Sequence, residues 1–141
     1  MKSWITKNGV QVIPVLYGRS NVFLIVSGNV NILVDTSISL LSKSLIRKLK
    51  QLKVTKIDYL VLTHTHFDHA GNANLIKEKF NAKVVVQQSE RVNIESGTNR
   101  LPVARNRFLN HILKNNASLF NKEAAYKPSL ADISFEEEFR F

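Results

Sequence analysis

The stretch Thr63-His64-Thr65-His66-Phe67-Asp68-His69 places three of the chain's four histidines and one aspartate within six residues. Histidine and aspartate side chains bind divalent metals, and so many of them so close together are not expected by chance. The chain contains no cysteine, so a metal here would be held by nitrogen and oxygen atoms. Imidazole and carboxylate without sulfur suit zinc, manganese or iron. The stretch therefore predicts a metal-binding loop.

The spacing of these residues limits the backbone conformation that could bring them together. On a helix, His64 and His66 would point about 200° apart and could not bind one ion. In an extended segment, residues 64, 66 and 68 share one side, and a turn at 68–69 would bring His69 round to them. We therefore expect an extended loop that ends in a turn.

The residues on either side of the loop predict a strand and a helix. The apolar run at 57–62 is typical of a strand buried on both faces. Residues 72–80 predict a helix with Leu75, Ile76 and Phe80 facing inward. The loop would then begin at the carboxyl end of a strand, which is where α/β proteins place their ligand sites.

The elements farther out complete an α/β layered pattern. Pro14 predicts an edge position for the first strand, because proline cannot donate a hydrogen bond to a neighbouring strand. Ser27-Gly28-Asn29 predicts a hairpin turn, and Ser37 or Ser39 can cap the first helix. The remaining predicted elements are strands at 10–16, 21–27, 31–35 and 83–87, helices at 38–52 and 89–95, a helical stretch over 96–127, and a strand pattern over 131–141.

Composition indicates one globular domain, because the chain has 141 residues, 44% of them hydrophobic and 22% charged. The net charge of +9 is uneven: residues 1–57 hold nine Lys and Arg against one acid, and residues 58–141 hold eleven against ten. Six of the first nine lie in 43–56, which we interpret as the solvated face of the first helix. Nucleic-acid binding is the alternative interpretation of this basic half.

No segment predicts attachment to a membrane. The longest unbroken apolar run is Val22–Val26, far short of the roughly 20 residues that a membrane helix needs. The N-terminus lacks the long apolar region of a signal peptide. We therefore expect a cytoplasmic location.

The motif Thr-His-x-His-x-Asp-His-x-Gly-Asn at residues 63–72 resembles the signature of the metallo-β-lactamase superfamily. The segments 20–25, 32–36 and 59–63 resemble the family's strands around it. The resemblance implies the N-terminal half of an αββα four-layer sandwich, with residues 1–141 in a single domain and the motif-bearing part at about 9–95.

The resemblance also implies roles for particular residues. His64 and His66 match ligands of a first metal, and Asp68 and His69 match ligands of a second. Two zinc ions are implied, with iron or manganese as alternatives. Asp68 would also orient the attacking water or accept its proton, and so act in catalysis. Asp35 matches an acidic position that orients a ligand, although a cap for the next helix is an equal alternative; Gly71 matches a close turn into a helix.

The implied activity is hydrolysis of a small molecule. In this family a metal-bound hydroxide would attack an ester, thioester, lactone or related bond. A nuclease acting on RNA or DNA is a second reading of the same resemblance. A redox member that uses iron is a third, and His66 counts against it because some of those members carry an acid there. A non-catalytic half domain that binds metal is the alternative from another class.

The chain departs from the family in its second half. The family completes its site with a third histidine, a bridging aspartate and a last histidine, and neither His111 nor Asp132 matches them. We interpret His111 as a surface residue of a helix and Asp132 as a loop residue. The alternating pattern from Ile133 stops on Phe141. We therefore expect a fragment whose remaining ligands follow Phe141 and whose apolar sheet face is incompletely covered.

Overall fold

A mixed β-sheet organises the part of the chain that the computed structural model describes, which is residues 3–18, 20–98 and 125–140. His111 and most of the predicted helical stretch lie outside these ranges. The strands are β1 (Trp4–Ile5), β2 (Gln11–Leu16), β3 (Val22–Ser27), β4 (Val30–Val34), β5 (Tyr59–Val61), β6 (Lys83–Gln87) and β7 (Ile133–Phe135).

The strands lie in the sheet in the same order as in the sequence. β1 to β4 pair antiparallel, and the turn between β3 and β4 has Gly28 at φ +57°, as the hairpin prediction requires. β4 to β7 pair parallel. Because the carboxyl ends of parallel strands meet at one edge, the segments after β4, β5 and β6 lie close together there.

The helices cover one face of the sheet. Those within the described ranges are α1 (Ser42–Gln51), α2 (Phe67–Ala70), α3 (Ala73–Phe80) and α4 (Arg91–Ser96), with 3-10 turns at Ser39–Leu41 and Gln88–Glu90. α1 is amphipathic, since its apolar residues recur three or four apart, and it buries Leu45 and Leu49. The core between helices and sheet includes Leu24, Leu33, Leu60, Ile76, Val84 and Ile94.

The second face of the sheet is also apolar, but it is only partly covered within the described residues. Val34 and Val61 are half-buried there and line a cavity of about 480 Å³. Near it, the Phe139 ring lies 6.3 Å from that of Tyr59, so part of the C-terminal segment packs on the sheet. This agrees with the expected incomplete cover.

Several predictions about strands were wrong. β2 is not the edge strand, because β1 pairs with it; among the described residues that pairing ends at Val12 and does not reach Pro14. The strand predicted at 57–62 spans only Tyr59–Val61. Tyr59 and Val61 are half-buried, because the described helices pack on the opposite face of the sheet. The strand pattern over 131–141 yields only β7, since Phe139 packs on Tyr59 instead of continuing the ladder.

Predictions about helix ends were also corrected. No side-chain hydrogen bond caps the 3-10 turn or α1, and the Ser39 hydroxyl donates to the Gly71 carbonyl instead (2.8 Å). Leu75 is half-buried, whereas Ile76 and Phe80 are buried. It lines the open cavity beside α1, where solvent reaches it. The predicted helical stretch over 96–127 does not extend to its limits. α4 ends at Ser96, and residues 125–127 are not helical.

No helix within the described ranges is long and apolar enough to cross a membrane.

Candidate metal centre

Three imidazole rings converge in the loop that follows β5. The ring centroid of His64 lies 4.7 Å from that of His66 and 4.0 Å from that of His69. The extended conformation lasts only to His66, because the amides of His69 and Ala70 both donate to the His66 carbonyl at 2.8 Å and begin α2. The predicted loop and turn are therefore present, but Asp68 is placed by a helical turn and not by the extended run.

Asp35 supports this loop from the end of β4. Its buried carboxylate accepts hydrogen bonds from the Thr63 amide (2.9 Å), the Thr63 hydroxyl (2.8 Å) and Nδ1 of His69 (2.8 Å). Its backbone has φ +59°, a conformation that aspartate tolerates better than most residues. Asp35 therefore fixes a predicted ligand, and it does not cap the next helix.

The contact with Asp35 determines which nitrogen of His69 is available. A neutral imidazole that donates from Nδ1 to a carboxylate keeps the lone pair on Nε2 free for a metal. The backbone of His69 is fixed as well, since its carbonyl accepts from the Thr36 amide (2.7 Å) and hydroxyl (2.8 Å). His69 is thus oriented at both its ring and its main chain.

The surroundings of His64 favour its neutral form. Burial lowers the pKa of His64, the neighbouring His69 and His66 lower it further, and Asp35 and Asp68 oppose this without reversing it. Neutral imidazole is the form that binds metals, because a protonated ring has no free lone pair. The environment of His64 is therefore compatible with a ligand role.

Asp68 lies half-buried on the first turn of α2. Its carbonyl accepts a hydrogen bond from the buried hydroxyl of Ser20, in the segment before β3. This contact ties the turn to a distant part of the chain. Gly71 lies at the close approach that was predicted, because a Cβ there would meet the Phe67 carbonyl oxygen at 2.6 Å and the Ser37 carbonyl oxygen at 2.7 Å.

Asn72 was not among the predicted site residues, although it belongs to the quoted motif. Its buried side-chain amide donates to the carbonyls of Thr36 (2.8 Å) and Ile38 (2.8 Å), and more weakly to that of Ser37 (3.3 Å). It therefore holds the segment after Asp35 against the end of the histidine loop.

Glu90 and Tyr126 were also missed, and both bind Thr65, between His64 and His66. Glu90 accepts from the Thr65 amide and hydroxyl, and the Tyr126 hydroxyl donates to the Thr65 carbonyl. Burial raises the pKa of Tyr126 to about 12. Glu90 follows β6 at the carboxyl edge of the sheet, so its place in the chain could have identified it as a residue near the loop. No sequence pattern identified Tyr126 in this way.

Among the described residues, no group of three or more His, Cys, Asp or Glu side chains is placed so that it could hold one metal ion. The assignment of His64, His66, Asp68 and His69 as ligands, two to each ion, therefore stays a prediction. Asp132 lies in a loop, as predicted, and its carboxylate accepts from the Val84 amide (2.8 Å) and Lys77 (2.6 Å).

A mixed sheet of antiparallel and parallel strands, with a histidine-rich loop at the carboxyl edge of the parallel strands, defines an α/β fold. The family model described as the metallo-beta-lactamase superfamily matches residues 16–116. The chain therefore belongs to the metallo-beta-lactamase superfamily, which confirms the resemblance seen in the sequence.

The chain is also similar to individual proteins of this kind. It is 32% identical over 81 residues to a probable metallo-hydrolase of Methanocaldococcus jannaschii, which covers 57% of this chain and 39% of that protein. The fold matches a metallo-beta-lactamase motif mutant from Cronobacter sakazakii (TM-score 0.73, 17% identity, 100% of this chain and 50% of that one). It also matches a subclass B3 enzyme of Bradyrhizobium japonicum (TM-score 0.71, 18% identity, 100% and 47%). The chain thus spans half or less of these relatives' lengths, and it corresponds to one half of the predicted sandwich.

Proposed function

We propose that this chain supplies the N-terminal part of a metal-dependent hydrolase site. His64 and His66 would hold one ion, and Asp68 and His69 a second, with zinc as the first choice and iron or manganese as alternatives. The observation that carries the proposal is the convergence of the three imidazole rings beside Asp35, which orients His69 through Nδ1.

The donor set fits zinc. Three imidazoles and a carboxylate are ligands that zinc accepts, and the loop carries no cation that would repel an ion. Zinc, when bound, lowers the pKa of a water molecule to about 7 and polarises a substrate oxygen, which is the chemistry that hydrolysis requires.

The residues of this chain would perform the remaining steps. Asp35 accepts the Nδ1 proton of His69, and so keeps the Nε2 lone pair of that ring free for a metal. Asp68 would orient the attacking water and accept its proton, because it lies on the same helical turn as His69. Burial lowers the pKa of His64, which favours its neutral ring, and partly excludes water from it.

The proposed substrate is a small molecule with an ester, thioester, lactone or related bond. The relative from Methanocaldococcus jannaschii is called a probable metallo-hydrolase, which supports hydrolysis without naming a substrate. Since the chain spans half or less of its relatives, the activity proposed is that of a complete site to which this chain contributes.

The test is the zinc affinity of the purified chain and of two variants, measured by equilibrium dialysis. His64→Ala and His66→Ala each remove one of two proposed ligands to the same ion, so we expect each to lower zinc affinity at least 10-fold. Loss of a residue that only orients a ligand already lowers metal affinity about 10–100-fold, and loss of a ligand should not have a smaller effect. His111→Ala is the matched control, because it removes the fourth histidine of the sequence outside the motif. Unchanged zinc affinity in both motif variants would show that the ligand assignment is wrong.

A second candidate function is hydrolysis of RNA or DNA. The observation that favours it is an open cavity of about 740 Å³ beside α1, lined by Lys43, Arg47 and Lys50 and by no acidic residue. Such a surface attracts phosphates.

The nucleic-acid candidate predicts binding that weakens steeply with salt. The measurement is the affinity for a labelled oligonucleotide, followed by fluorescence anisotropy at several salt concentrations. In the triple variant Lys43→Ala, Arg47→Ala, Lys50→Ala, the slope of log K against log salt should become shallower by up to about 2.7, since each phosphate contact contributes about 0.9 to that slope. Lys83→Ala, which removes an exposed cation on β6, is the control. Absence of wild-type binding at low salt would eliminate this candidate.

A further inference from the structure

Thr65 is bonded at all of its polar groups, although it lies in a loop. Its side chain and backbone are fully buried. The amide donates to Oε2 of Glu90 at 2.9 Å, and the hydroxyl donates to the same oxygen. The carbonyl accepts from the Tyr126 hydroxyl at 2.8 Å. A loop residue held in this way has almost no freedom to change its backbone angles.

The position of Thr65 makes this constraint relevant to the site. Its amide belongs to the peptide group that follows His64, and its carbonyl belongs to the peptide group that precedes His66. Fixing both groups fixes the extended backbone that places the two rings 4.7 Å apart. A shift of either peptide would change that separation, because a side chain moves with its Cα.

The carboxylate of Glu90 is suited to this task. Burial raises its pKa, but the two donors of Thr65 and the side chain of Asn93 outweigh burial, and the pKa of Glu90 is lowered overall. An ionised carboxylate accepts stronger hydrogen bonds than a neutral group does. The two bonds also satisfy a buried N–H and a buried O–H that would otherwise lack partners.

We propose that Glu90 is a positioning residue that sets the separation of His64 and His66 through Thr65, with the Tyr126 hydroxyl as the second anchor. This inference deepens the proposed function and rests on it, because the two histidines are the proposed ligands of one ion. Glu90 would act through its bonds to Thr65, and it is not one of the proposed ligands.

The experiment compares Glu90→Ala and Glu90→Gln with the control Glu95→Ala. Glutamine keeps an oxygen that can accept both bonds from Thr65, and alanine does not. Glu95 lies on α4 and pairs with Arg91 at 3.0 Å, so its loss removes an acid nearby without affecting Thr65. The readouts are zinc affinity by equilibrium dialysis and hydrogen exchange of the Thr65 amide by NMR on the metal-free chain.

We expect Glu90→Ala to lower zinc affinity about 10–100-fold, as losses of residues behind metal ligands do. Glu90→Gln should restore most of that affinity, and Glu95→Ala should leave it unchanged. The Thr65 amide should exchange much faster in Glu90→Ala than in the wild type and in the other two variants, with or without zinc.

The outcomes separate this inference from the proposed function. Equal zinc affinity of Glu90→Ala and wild type, or unchanged exchange at Thr65, would overturn the positioning role and leave the ligand assignment intact. If wild type binds no zinc, the proposed function fails, and the exchange rate alone decides whether Glu90 fixes Thr65. If Glu90→Ala does not fold, Glu90→Gln is the variant that tests the inference. Lost zinc affinity together with fast exchange of the Thr65 amide in Glu90→Gln would contradict the proposal that the side-chain oxygen at position 90 positions Thr65.

Discussion

Asp35→Ala is expected to destabilise the fold by about 4.5 kcal/mol, since it removes three hydrogen bonds to a charged group and each contributes at least about 1.5 kcal/mol. The Asp35 carboxylate accepts three such bonds, two from Thr63 and one from His69. Alanine also tolerates φ +59° less well than aspartate does. Urea denaturation followed by circular dichroism would measure the loss in the free energy of unfolding. The same change should lower zinc affinity about 10–100-fold, because His69 loses the group that orients its ring.

Asp35→Asn separates these two effects. Asparagine tolerates a positive φ, and its oxygen can still accept from Thr63, so most of the stability should remain. Its NH₂ group, if it faces Nδ1 of His69, would favour the tautomer with the proton on Nε2, which removes the lone pair that a metal needs. We therefore expect a folded variant with weakened zinc binding. Zinc affinity equal to that of wild type in both variants would contradict the role assigned to Asp35.

Asn72→Ala is expected to destabilise the fold by about 2–4 kcal/mol, because the buried Thr36 carbonyl loses a partner at about 1–3 kcal/mol and the half-buried Ile38 carbonyl loses a hydrogen bond worth about 1 kcal/mol. These are the carbonyls of Thr36 and Ile38, each 2.8 Å from the Asn72 amide nitrogen. The midpoint and slope of urea denaturation would measure the effect.

Asn74→Ala is the matched control for Asn72→Ala. Asn74 is the same residue type two positions along, and its Oδ1 is buried without a hydrogen-bond partner among the described residues. Removing it should therefore cost much less than removing Asn72. Equal losses of stability in the two variants would show that the bonds from Asn72 to the segment after Asp35 are not what stabilises this region.

Both residues belong to one network around the histidine loop. Asp35 and Thr36 follow β4, and they bond to Thr63 at one end of the loop and to His69 at the other. Asn72 then closes the network back onto the segment after Asp35. The loop is thus rigid before any ligand arrives, which reduces the entropy that metal binding would otherwise cost.

Much of the fold followed from local patterns in the sequence. β6 was predicted at 83–87 and lies at Lys83–Gln87, because its buried β-branched run is unambiguous. The hairpin of β3 and β4 followed from the turn at Gly28. The errors concern positions where packing decides: Pro14 lies in an inner strand because β1 pairs with β2, and Ser39 bonds to Gly71 instead of capping a helix.

The sequence by itself determined the family, the order of strands and helices along 10–96 apart from the short helix α2, and the loop with three histidines and an aspartate. These properties reside in residue identity and short-range periodicity, so they can be read from neighbouring positions. Only the tertiary structure decided that Asp35 holds His69, that Asn72 holds the segment after β4, and that Glu90 and Tyr126 hold Thr65. These contacts join residues 25 to 61 positions apart, and no local pattern specifies which distant side chain will complete a buried hydrogen bond.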